Sequence, residues 1–80
     1  MQTTRYFREQ VMAKRSYLQY AWIEEVLAHP ARVQTEENGR IRMWGYVPAL
    51  GKYLRVVTLD DGLTVHNAFP DRSYKEDREP

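Results

Sequence analysis

Four side chains in the second half of the chain could do phosphate chemistry: Arg55, His66, Arg72 and Tyr74. An arginine holds a phosphate through paired hydrogen bonds and stabilises charge that builds on it. A histidine titrates near ~6.5 and can pass a proton at neutral pH. A tyrosine can stack on a base or donate its phenolic proton. Each also has a plainer reading. Arg55 could make a cross-strand ion pair, and His66 could be a structural strand residue. Asp71-Arg72, after Pro70, could be a turn or a local salt bridge, and Tyr74 could pack near the chain end.

The segment that positions them is 53–74, YLRVVTLDDGLTVHNAFPDRSY, which reads as a β-hairpin. Asp61-Gly62 suits a two-residue type I′ turn, where both central residues need positive φ. Pairing outward from it sets Val57 opposite His66 and Arg55 opposite Ala68. One face then carries Leu54, Val56, Leu63, Val65 and Phe69, with Thr58 and Asn67 among them. The other carries Arg55 and His66 as diagonal neighbours, roughly 7–8 Å apart at the backbone. A three-residue turn would mix His66 with Leu54 and Val56, so the two-residue register separates the faces better. In that register Asn67 is a hydrogen-bonded core residue.

Upstream, residues 5–15 predict a short helix capped by Thr3 or Thr4, with Phe7 and Val11 as its apolar stripe. Residues 18–28 predict a stronger helix. Leu18, Trp22 and Val26 line one edge, Ile23 and Leu27 widen it, and His29-Pro30 ends it. From Arg32 the period becomes two, and Asn38-Gly39 joins strands at 33–37 and 40–47. The expected architecture is α+β: two N-terminal helices on one face of a four-stranded antiparallel meander. Residues 1–75 form the single domain and 76–80 a polar C-terminal tail. If the hairpins join in register, the uncovered face collects Arg40, Arg42, Trp44, Tyr46, Arg55 and His66. Cations interleaved with aromatics suit single-stranded RNA, as do loop residues such as Lys52. The same surface could meet a protein, or simply cover the sheet.

Eighty residues bound the core to one small domain, and 42% hydrophobic content supports it. Net charge is only +1, but residues 40–59 carry four cations (Arg40, Arg42, Lys52, Arg55) and no carboxylate. Such a patch attracts phosphate at short range and is screened by salt. No cysteine is present, which removes disulfides and thiolate metal sites. His29 and His66 lack metal-ligand spacing, no cofactor is implied, and no glycine-rich phosphate loop occurs. No apolar run nears the ~18 residues of a membrane span, and no signal peptide is visible, so the expected location is cytoplasmic.

Residues 6–75, with WIEEVLAHP ending the second helix, then KYLRVV and HNAFPDR, resemble the RelE/ParE-like toxin superfamily, closest to its small BrnT-like or related uncharacterised branch. The first strand common in that superfamily is not evident, since only Gln2 to Thr4 could form it. The resemblance implies a metal-independent mRNA endoribonuclease, or a degenerate relative, neutralised by a small antitoxin. It implies Arg55 as the phosphate-binding arginine, His66 or Arg72 as acid or second cation, and Tyr74 as a C-terminal aromatic. The alternatives are a non-catalytic protein-interaction module and an RNA-binding accessory protein.

Overall fold

The computed structural model describes residues 1–75, so the expected tail at 76–80 lies outside the described residues. Strand β1 is Gln2–Thr3. Helix α1 begins as a π-helical turn, Phe7–Val11, and continues as one α-helical turn, Met12–Lys14. Helix α2 is Tyr20–Ala28. Strands β2 (Arg32–Thr35), β3 (Ile41–Val47), β4 (Lys52–Thr58) and β5 (Thr64–Pro70) follow. The sheet order is β1-β5-β4-β3-β2.

The α+β class expected from the sequence holds, but the four-stranded antiparallel sheet does not. Strands β2 to β5 form the meander, and β1 joins β5 in parallel, giving five strands of mixed sense. Two residues are too few to show alternation, so β1 leaves no period in the sequence. Distant groups hold it instead. Gln2 and Thr3 align with Thr64 and Val65. The Thr4 amide donates to the Val65 carbonyl at 2.9 Å. Arg8 donates to the Thr3 carbonyl at 2.6 Å and to its Oγ1 at 2.9 Å.

Thr4 is also the cap of α1, because its Oγ1 accepts the Phe7 amide at 3.1 Å. The expected stripe of Phe7 and Val11 is buried. Helix α2 starts two residues later than the pattern suggested. Leu18 precedes it yet is buried all the same. Ile23 and Val26 bury, Trp22 and Leu27 pack beside them, and Glu24 and Glu25 face out. On the sheet side the core takes Met43, Val47, Leu54, Val56, Val65 and Ala68. Gly45 lets α2 approach β3 closely, since a Cβ there would stand 2.9 Å from Val26 Cγ2.

Both hairpins close differently from the expectation. In each, only the glycine has positive φ: +89° at Gly39 and +70° at Gly62. A type I′ turn needs two such residues, so neither forms. Glu36 donates to the Arg40 carbonyl at 2.8 Å, leaving a three-residue loop around Asn38. Leu59 donates to the Thr64 carbonyl at 2.9 Å, leaving four residues, and the Asp61 carboxylate ties them by accepting the Leu63 and Thr64 amides.

The expected register survives next to that loop, where Thr58 aligns with Val65. One residue further it slips. Val57 aligns with Asn67 and Arg55 with Phe69, so His66 is the extra residue of a β-bulge. The slip moves Asn67, Ala68 and Phe69 to the opposite face from the expected one. Ala68 enters the core in place of Phe69, and Phe69 joins Arg55 on the far face. Leu63, expected in the core, lies in the loop and is 66% exposed. Asn67 is not a core residue either. Its Oδ1 accepts the Ala68 amide at 2.9 Å, and Pro70 has no amide, so the β5 edge beyond β1 offers few free donors.

Candidate nucleic-acid interface

The slipped register sets the chemistry of the far sheet face. Trp44 aligns with Arg55, Tyr46 with Tyr53, and Arg55 with Phe69. The Arg55 guanidinium therefore sits between two rings, 5.5 Å from the centroid of Trp44 and 5.2 Å from that of Phe69. Its Nη1 lies 3.6 Å from Asp71 Oδ2. The Trp44 indole donates to the same oxygen at 2.9 Å. The Ser73 amide and hydroxyl donate to Asp71 Oδ1 at 3.0 and 2.7 Å. Burial pushes the Asp71 carboxyl up. The bonds from Trp44 and Ser73, with the charge of Arg55, outweigh it and hold the group below the usual carboxylate range.

Tyr74 lies stacked on Trp44, with ring centroids 5.1 Å apart, and meets Tyr53 edge-on at 4.8 Å. The face expected to be open is thus roofed by residues 71–74, and Trp44 is only 5% exposed. Of the two readings weighed for Asp71-Arg72, the turn is present and the local salt bridge is not: Asp71 pairs with Arg55 across the sheet, while Arg72 stays exposed. Arg42 Nε lies 2.9 Å from Glu36 Oε2, an ion pair without hydrogen-bond alignment. Arg55 Nε is likewise buried without a hydrogen bond. Arg40 precedes β3 beside the loop, and its amide donates to Asn38 Oδ1. Tyr46 and Lys52 are exposed.

The bulge re-aims His66. Its Nδ1 lies 3.1 Å from Thr4 Oγ1, and Tyr6 stacks on its ring at 4.8 Å. Thr4 Oγ1 also accepts the Phe7 amide, and its second lone pair or its own proton meets Nδ1 according to the ring's tautomer. Among the described residues, no hydrogen bond or ring contact joins His66 to Arg55, Arg72 or Tyr74.

Burial, then the charge of Arg40, lowers the His66 pKa. The sign of the effect on stability follows from linkage. The unfolded chain takes up this proton at a higher pH than the fold does, so the contribution is fully present above about 6.5 and is lost as pH falls through the lower folded value. The urea midpoint should therefore drop more between pH 7.5 and 5 in wild type than in His66→Gln. Parallel profiles would contradict this account.

The exposed cations gather elsewhere. A groove of about 510 Å³ runs beside β5, lined by Arg15, Lys52 and Arg72 with Tyr17, Phe69, Leu50 and Pro70. No carboxylate among the described residues lines it. Arg15 stands 5.6 Å from the centroid of Phe69. Among the described residues these three cations make no ion pair. A smaller groove of about 270 Å³ shares Lys52 and Arg72 with the first and adds Tyr46, Tyr53 and Tyr74. A third, at Glu36, Glu37 and Arg42, is too acidic for a polyanion. Arg15, Tyr17 and Phe69 were not among the residues singled out from sequence. Arg15 ends one helical pattern while Phe69 sits in the last strand, and no local spacing links them.

Among the described residues, no group of three or more histidines and carboxylates could hold a metal ion, and no helix is long and apolar enough to cross a membrane. Comparison with protein-family models, with curated proteins and with solved structures finds no match in any of the three.

Proposed function

We propose that this domain binds single-stranded RNA, as a degenerate relative of the RelE/ParE-like toxins. The observation that carries the reading is the groove of Arg15, Lys52 and Arg72, three cations beside Tyr17 and Phe69 with neither an ion pair nor a carboxylate in the walls among the described residues. Cations hold the backbone, and exposed rings accept unpaired bases. The layering of two helices on a meander supports the family resemblance, as does a short strand at the one place where the family's first strand could form.

Binding is favoured over cleavage by how the four residues expected to catalyse are used. Arg55 is held between two rings and a carboxylate, and Tyr74 covers Trp44. His66 is engaged with Thr4 and Tyr6 instead. Of the four, only Arg72 lines the groove, and it makes no ion pair among the described residues. A small antitoxin remains the protein partner that the resemblance implies.

Fluorescence anisotropy with a labelled ten-residue oligouridylate tests the reading, alongside a gel of end-labelled transcript. The expected result is saturable binding in low salt with the transcript intact. Cleavage abolished by Arg72→Ala would establish an endoribonuclease instead. Absence of binding in low salt would contradict the proposal and favour a protein-interaction module.

A further inference from the structure

The two grooves share Lys52 and Arg72 and differ in their rings. On one side stand Tyr17 and Phe69; on the other stands Tyr46, 54% exposed and edge-on to Tyr53 at 5.3 Å. We infer that the minimal ligand is a dinucleotide unit of single-stranded RNA, with its internal phosphodiester on Lys52 and Arg72 and one base in each groove. The inference rests on the RNA-binding reading and adds the unit that the site recognises.

The charges fit this division. Both shared cations are exposed and unpaired among the described residues, so a phosphate meets them without first breaking an ion pair. Among the described residues Asp71 is the one carboxylate in the walls. It is 8% exposed and already satisfied by Trp44, Ser73 and Arg55, so it presents little charge to the groove. A base in the first groove lies against Tyr17, which is exposed, because the Phe69 ring already carries Arg15 at 5.6 Å and Arg55 at 5.2 Å. A base in the second lies against Tyr46. A mononucleotide can fill only one side. A duplex keeps its bases stacked on each other and can fill neither.

The test is calorimetry with uridylyl-uridine, with 5′-UMP and 3′-UMP, and with the ten-residue oligouridylate, all in 50 mM salt. One further base on an aromatic ring is worth about five- to 150-fold in affinity. The dinucleotide should therefore bind at least roughly fivefold tighter than either mononucleotide, and Tyr46→Ala should remove that advantage. Decamer binding without a dinucleotide advantage would overturn the two-groove inference and leave the RNA-binding reading standing. Failure of the decamer to bind would overturn both. Equal binding of the decamer alone and annealed to an oligoadenylate would also overturn it, because it would assign the groove to backbone charge alone.

Discussion

Asp71→Ala should be among the most damaging single substitutions in this chain, costing about 3–5 kcal/mol. The carboxylate gathers four groups at once: the Trp44 indole, the amide and hydroxyl of Ser73, and the Arg55 guanidinium. Removing it leaves Arg55 between two rings with no counter-charge, and leaves a buried indole donor unsatisfied. It also releases the turn that lays Tyr74 over Trp44. Asp71→Asn should recover part of the loss, because an amide oxygen can still accept from Trp44 but supplies no charge. Replacing Arg55 by Met in the Asp71→Ala background should likewise restore stability, since the unpaired cation is then gone. Urea unfolding reads all three. A loss under about 1 kcal/mol for Asp71→Ala would mean that water replaces the carboxylate easily and that the far face is not a sealed cluster.

The second large effect concerns binding. Reversing Arg15, Lys52 and Arg72 to glutamate together should weaken RNA binding by at least roughly a hundredfold, because three attractive charges become repulsive at the same groove. Lys52 and Arg72 are exposed and Arg15 half-buried, so the fold should tolerate the change. An unchanged urea midpoint in the same variant confirms that binding, not folding, was lost. The matched control is reversal of Arg42, which is paired with Glu36 on another part of the surface and should leave RNA affinity nearly unchanged.

Much of the scaffold was legible in the sequence, for reasons particular residues make plain. Phe7 with Val11, and Ile23 with Val26, recur at helical spacing, and each pair is buried as expected. Leu54, Val56 and Val65 alternate on one face because a strand permits nothing else, and all three are fully buried. The bulge at His66 was not legible. A single inserted residue leaves no signature, yet it moved Phe69 to the Arg55 face and drew His66 toward Thr4. The β1 strand was hidden for a different reason, being defined by Val65 and Arg8 rather than by any period of its own.

The candidate site divided along the same line. Lys52 and Arg72 were noted from sequence and do border the groove, whereas Arg15, Tyr17 and Phe69 were not, because only the folded chain brings them together. Trp44 and Arg55 drew notice as an exposed cation and aromatic. The structure buries Trp44 and half-buries Arg55, since Asp71 and Tyr74 fold back across them. A basic residue beside an aromatic on a strand therefore means different things according to what covers it, and the covering segment here was read as a turn without a destination.

The central claim is that three cations of one groove hold an RNA backbone. The salt dependence of decamer affinity tests it most directly. Each phosphate neutralised on a single strand contributes a slope of about −0.7 in log affinity against log salt, so one on Lys52 and Arg72 and a second on Arg15 predict a slope of about −1.4. Affinity should then fall roughly sevenfold between 50 and 200 mM salt, and Arg15→Ala should make the slope shallower by about 0.7. A slope near zero, or one that Arg15→Ala leaves untouched, would contradict the claim.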